Sequence, residues 1–334
     1  MPIDIHAHYV PPQLMEAVAA RGGEIGVRLV TVPGAPTASL QFDYGFKVRP
    51  FFPRLIEPVA ERIAWLDQEG IDVQIVATWA DMFGYGLDRD ACAAWHRMMN
   101  DTLAEWCAAN RDRFAWIASV PLTDGAAAAQ ELARAATAGA VGIIVAANVE
   151  GVNIGEKPLD ALWQQAEALD MPVLMHPLLV DPAPRAARFG LAQIAQYTFD
   201  TTLGVGSLVM SGVLDRFPKL KLILSHGGGA FPYLAGRFDI MHAHMDRVAQ
   251  GDAAQDTPSA YAPRMIYDSI VHAPKALRFL IEVAGVENVV LGTDYSFPPA
   301  DMEPLTSLDE AGLSPAAVTA IAETNVRRVF TRLK

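Results

Sequence analysis

Ile3-Asp4-Ile5-His6-Ala7-His8 is the stretch on which both the fold and the site turn. Two isoleucines alternate with polar residues, the pattern of a short strand. Side chains two apart on a strand project to the same side, so His6 and His8 leave its C-terminal end together. Two neutral imidazoles so placed can hold one divalent cation, provided other elements bring the remaining ligands.

Working outward, Tyr9-Val10-Pro11-Pro12 stops this strand. Residues 9 to about 56 are rich in Gly, Pro and polar side chains and read as an irregular insertion covering one end of the fold. Glu57 to Glu69 has helical spacing, with Val59, Ile63 and Leu66 on one face and Gly70 ending it. From there strands alternate with helices. The expected strands are Asp72–Thr78, Phe114–Val120, Val141–Ala146, Pro172–His176, Lys221–His226, Met265–Ile270 and Asn288–Asp294. The expected helices are Arg89–Asn110, Gly125–Ala138, Pro158–Leu169, Gly190–Phe217, Gly229–Met245 and Lys275–Ala284. With the first strand the count is eight, which predicts an α/β fold, the (β/α)8 TIM barrel, closed by one or two helices in 314–332. No linker or long charge run divides the chain, so residues 1–334 are expected to form one barrel domain.

Composition narrows the function. The 334 residues carry a formal net charge of −12, which argues against nucleic acid or an anionic membrane as partner. Cys92 and Cys107 are the only cysteines, too few for a disulfide framework, and a reducing, cytoplasmic setting is expected. No signal peptide is legible before the first strand, and no apolar run reaches the length of a membrane span.

The polar residues that interrupt this apolar pattern sit at strand ends. His176 ends strand five, His226 strand six and Asp294 strand eight. In a parallel barrel these ends share the face where active sites lie. His6, His8, His176 and Asp294 form an N3O set with a fifth position left for water, and imidazole with hard oxygen suits zinc or manganese. His226 stands beside the set as acid/base or electrostatic helper. The run Gly227-Gly228-Gly229 lacks the lysine and spacing of a phosphate-binding loop and is expected to let backbone approach the metal pocket closely. His272 follows strand seven on the pocket side and is a candidate for substrate contact. His242 and His244, two apart on a helix, are expected at the surface or an interface, and His96 has no special claim. No lysine falls at the end of strand four, which points to one metal rather than two.

These residues resemble the amidohydrolase superfamily, in the branch containing 2-amino-3-carboxymuconate 6-semialdehyde decarboxylase and the aromatic acid decarboxylases. The resemblance is carried by Ile3–His8, Leu66–Ile71, Met82-Phe83, His176-Pro177, Phe217–Lys221, His226–Pro232, Gly236-Arg237 and Leu291–Tyr295, in order along nearly the whole chain. It implies a single zinc on His6, His8, His176 and Asp294, with His226 the acid/base that activates metal-bound water. It implies that Arg237 reaches a neighbouring subunit's pocket to bind a substrate carboxylate, so that a homodimer is the active form. A second carboxylate-binding arginine comes from the first long loop, where Arg49 is the nearest match and Arg54 its competitor. The chain departs from the family at Leu178, where the decarboxylase has Trp, and at Ser296, where the family has Pro. Both are expected to bear on substrate choice.

The expected activity is a metal-dependent, non-oxidative decarboxylation of an unsaturated or aromatic carboxylate. Asp294 serves there both as ligand and as proton acceptor. A hydrolase or hydratase on the same scaffold is the alternative, because the same metal set serves all three reactions.

Overall fold

Eight parallel strands follow one another around a barrel in the order of the sequence. They are β1 (Ile3–His8), β2 (Val73–Ala77), β3 (Phe114–Ser119), β4 (Gly142–Ala146), β5 (Val173–His176), β6 (Leu222–Leu224), β7 (Ile266–Asp268) and β8 (Val289–Val290). The ring closes where the Ile5 amide donates to the Leu291 carbonyl at 2.9 Å and the Asp294 amide to the His6 carbonyl at 2.7 Å. The computed structural model describes residues 1–179 and 183–333.

The strand sequences explain this arrangement. Ile143-Ile144-Val145 of β4 and Val173-Leu174-Met175 of β5 are apolar throughout and fully buried, as strands covered on both faces must be. The strands are shorter than the apolar runs that announce them. In β6 pairing stops at Leu224, and Ser225 and His226 already belong to the turn beyond. Between strands, helices start where a side chain satisfies their free amides. Asp88 accepts from Ala91 ahead of Arg89–Ala109, and Asp124 accepts from Ala126 and Ala127 ahead of Gly125–Thr137. The single helix expected over 190–217 is broken at Gly212, whose φ of 70° ends Tyr197–Met210 before the short Val213–Arg216.

Residues 9–56 correct the expectation of irregularity. They contain a helix, Pro12–Arg21, and an antiparallel hairpin, Val27–Thr31 with Ala38–Phe42. Pro12, read as a stop, occupies the first turn of the helix, where the missing N–H costs nothing. Leu14, Val18, Val27, Leu40 and Phe42 join Phe51, Trp79 and Trp95 in a second apolar cluster beside the barrel core. The insertion is therefore a packed cap over the β1–β2 side of the barrel mouth. Among the described residues, no helix is long and apolar enough to cross a membrane.

Candidate metal centre

β1 delivers His6 and His8, both fully buried, and their Nε2 atoms approach to 3.2 Å. β5 delivers His176, whose ring centroid lies 5.3 Å from that of His6 and 5.0 Å from that of His8. Asp294 follows β8, with Oδ1 3.4 Å from His8 Nε2 and 3.6 Å from His6 Nε2. His226 follows β6 and sets Nε2 3.4 Å from the other Asp294 oxygen, Oδ2. Donor atoms of His6, His176, His226 and Asp294 all lie within 4.8 Å of one another, and His8 joins them through its contacts with His6 and Asp294.

The far side of each ring decides which nitrogen is free. His6 Nδ1 faces Asp268 Oδ2 at 2.7 Å, His8 Nδ1 faces the Thr78 carbonyl at 3.0 Å, and His176 Nδ1 faces the Pro177 carbonyl at 2.8 Å. All three partners are acceptors, so each Nδ1 carries the proton and each Nε2 presents a lone pair. Three lone pairs and a carboxylate converge in a buried space with no proton to share among them. His176 Nε2 and Asp294 Oδ1 are buried without a hydrogen-bond partner. A divalent cation is the group that satisfies such a set, and these residues fit one. His226 differs, because its Nδ1 is buried without an acceptor and its Nε2 is engaged with Asp294.

Asp268, at the end of β7, is the site residue that the sequence reading missed. Besides His6 it accepts from the backbone amides of His226 at 2.9 Å and Gly227 at 2.8 Å. One buried carboxylate thus orients a ring on β1 and fixes the turn after β6. The buried Arg62 donates to the His8 carbonyl at 3.0 Å and to Ser296 Oγ at 2.9 Å, and Ser296 in turn donates to the His8 carbonyl. The departure at Ser296 therefore acts on the backbone of a site histidine.

The turns that carry these side chains are strained. His226, His272 and Asp294 all have φ of 54°, the left-handed region that non-glycine residues seldom enter. Gly229 is required by packing, since a Cβ there would lie 2.1 Å from the Thr198 carbonyl. The close approaches of the glycine run are thus made by Gly229 to the helix after β5, by Gly227 to Val271 and by Gly228 to the Tyr267 ring, not to the convergent rings.

Burial pushes His6 and His176 below the ordinary imidazole range, and neighbouring rings push His176 further. Burial alone would raise Asp294, but the His226 ring facing Oδ2 outweighs it and holds the carboxyl well below its usual range. His226 is pushed down by burial and up by Asp294 and Asp268, with a net rise.

The centre opens into a cavity of about 440 Å³ walled by Trp79, Ile194, Ile270 and Phe297. Arg49 and His272 line this cavity. Arg54 does not; it reaches Met302 near the surface, and its guanidinium stands 5.5 Å from the Tyr295 ring. Arg237 lies exposed on the helix Phe231–His244, with no ion pair among the described residues. Leu178 faces a neighbouring cavity with Tyr44 and Asp200. His242 is not a bare surface group, for it pairs with Asp252 at 2.6 Å. His244 is exposed, with Nδ1 2.8 Å from the Ile240 carbonyl.

A family model described as amidohydrolase matches residues 3–332. The chain is 31% identical over 245 residues to 2-amino-3-carboxymuconate-6-semialdehyde decarboxylase of Dictyostelium discoideum, covering 73% of this chain and 68% of that protein. The crystal structure of 5-carboxyvanillate decarboxylase from Sphingomonas paucimobilis superposes with a TM-score of 0.81 at 25% identity, over 99% of this chain and 98% of that one. A dihydroxybenzoic acid decarboxylase from Polaromonas, solved with bound manganese, shares the fold with a TM-score of 0.76 at 22% identity, over 99% of this chain and 96% of that one.

Proposed function

Because the chain belongs to the amidohydrolase family, which its residues 3–332 match, we propose that it is a metal-dependent, non-oxidative decarboxylase acting on an unsaturated or aromatic carboxylate. The observation that carries this reading is the convergence of three Nδ1-anchored histidines, Asp294 and His226; His226, the one ring of the group with no acceptor behind its Nδ1, is assigned the acid/base role rather than a ligand's. The site takes one divalent metal, held by His6, His8, His176 and Asp294. We assign zinc, for which an N3O donor set is well suited, with manganese the alternative.

A divalent ion held there by His6, His8, His176 and Asp294 would supply Lewis-acid stabilisation of the substrate carboxylate's charge. The chain's own residues do the rest. Trp79, Phe297 and Ile270 wall the cavity with apolar surface that accepts a flat unsaturated group and excludes water. His226 delivers a proton to the substrate carbon that bears the carboxylate. With that carbon protonated, the C–C bond breaks, its electron pair restores the conjugated system, and CO2 leaves. Neutral His226 is then reprotonated from solvent, and Asp294 Oδ2, facing its Nε2, holds the ring in line for both transfers. Asp268 keeps the His226 backbone and the His6 ring in register throughout.

Arg49 and His272 line the cavity and are assigned to substrate binding; Arg54, outside it, is not. The exposed Arg237 shares its helix with the exposed Tyr233, Ile240 and Met241. Such a face supports a homodimer in which Arg237 reaches the neighbouring pocket, and sedimentation of wild-type and Arg237→Ala protein tests it. The reaction itself is tested in 18O-labelled water and in D2O. A decarboxylase places one solvent deuterium at the vacated carbon and no 18O in the organic product. A hydrolase or hydratase places 18O there.

A further inference from the structure

Arg49 enters the metal pocket from the insertion, but not as a free cation. Its Nη2 donates to Asp81 Oδ2 at 2.9 Å and to the Tyr197 hydroxyl at 3.2 Å. The guanidinium stands 5.4 Å from the centroid of the Trp79 ring and 5.6 Å from that of Phe52. Asp81 is the buried partner, its side chain 7% exposed against 45% for Arg49. Three separate elements build this group. They are the insertion, the turn Ala80–Met82 that follows β2, and the first residue of the helix Tyr197–Met210. Among the described residues lining the cavity, Arg49 is the one arginine or lysine.

A carboxylate as buried as Asp81 is costly to leave unpaired, so it holds Arg49 in place. A second substrate carboxylate arriving at Arg49 would have to displace that charge-assisted bond or lie beside the Asp81 charge. A hydroxyl faces neither obstacle. It accepts from Arg49 and donates to the Tyr197 oxygen, both of which line the cavity, whereas a carboxylate can only accept.

We propose that Asp81 is a specificity-determining residue, which by pairing with Arg49 turns the pocket against a second carboxylate and toward a hydroxyl, as on a hydroxybenzoate. This rests on the reading that the reacting carboxylate goes to the metal end. The aromatic wall of Trp79 and Phe297 between the two ends suits the ring of such a substrate.

Calorimetric binding to the metal-loaded protein tests this without turnover, using 3-hydroxybenzoate and benzene-1,3-dicarboxylate as probes that place a hydroxyl or a carboxylate at the same ring position. Wild-type protein is expected to bind the hydroxybenzoate at least about tenfold more tightly, and Asp81→Asn to move the ratio about tenfold toward the dicarboxylate. Tyr197→Phe, which leaves the Asp81 charge in place, retains the penalty against the dicarboxylate. Equal or tighter binding of the dicarboxylate by wild-type protein overturns the proposal, and so does a folded Asp81→Asn protein with an unchanged ratio. Should that variant not fold, the wild-type ratio decides alone. The selectivity with no CO2 released would sink the decarboxylase reading and leave this one standing. CO2 release without the selectivity would do the reverse.

Discussion

His96 is buried as completely as His6 and His8, yet its surroundings are of another kind. It sits within the helix Arg89–Ala109, with Nδ1 2.9 Å from Ser119 Oγ and its ring stacked on Tyr85 at 5.6 Å. Its Nε2, like that of His176, is buried without a partner. What it lacks is company. Among the described residues, no cluster of metal-capable side chains includes it. At the barrel mouth the same side chain occurs three times on two strand ends, each ring anchored by an acceptor behind it and aimed at a shared point. Burial and an unpaired nitrogen therefore do not mark a functional histidine; convergence with a carboxylate does.

Substitutions sharpen that contrast. His176→Ala removes a ring from the convergent set. Metal content is expected to fall from one per chain to near zero, and activity by about a thousandfold or more, because the several kcal/mol of Lewis-acid stabilisation go with the ion. Metal analysis alongside CO2 release checks this, and full metal content in the variant would break the comparison. His226→Ala is expected to keep its metal while losing about 10²–10⁴-fold in kcat, the usual worth of a general acid. Loss of metal instead would make His226 a ligand.

Asp268→Asn keeps the shape behind His6 but removes the charge. Metal affinity is expected to fall about 10- to 100-fold, as for other groups that orient a ligand from behind, and a competitive chelator titration measures it. His96→Leu gives the smallest change at the centre, with metal content and kcat retained. Its effect lies in stability. Burial lowers the His96 pKa to about 3, below the unfolded value of about 6.5. Its neutral form thus favours the fold fully above about 6.5, and that contribution is lost as pH falls toward 3. The variant should lose up to about 1.4 kcal/mol per pH unit of acid sensitivity in that window, read from unfolding midpoints against pH. An unchanged acid limb would remove His96 from the account.

The barrel and the five strand-end residues were legible because each is a polar side chain closing an apolar run, and parallel topology gathers such ends. Asp268 ends β7 in the structure, but the strand expected over Met265–Ile270 held it mid-strand, where a lone aspartate signals no role. Its part emerges only once β7 brings it under the His226 turn and against His6. Asp81 and Tyr197 lie in a turn and at a helix start, and no periodicity singles them out. The insertion was obscured by its glycines and prolines. Val27 and Leu29 alternate opposite Leu40 and Phe42, but the run is too short and too interrupted to declare a hairpin before the pairing is seen. Arg49 and Arg54 are five residues apart in that segment, and only the packed cap shows which one enters the cavity.

The central claim is that the convergent set holds the metal on which decarboxylation depends. It is tested most directly by measuring CO2 release from carboxymuconate and hydroxybenzoate substrates with the protein as purified, stripped by chelator and reloaded with zinc or manganese. The account predicts one CO2 for each substrate consumed, loss of release on stripping, and recovery with one equivalent of metal per chain. A fully stripped protein that releases CO2 at the original rate would contradict it, as would a metal-loaded protein that releases none from the whole panel yet cleaves lactones or amides.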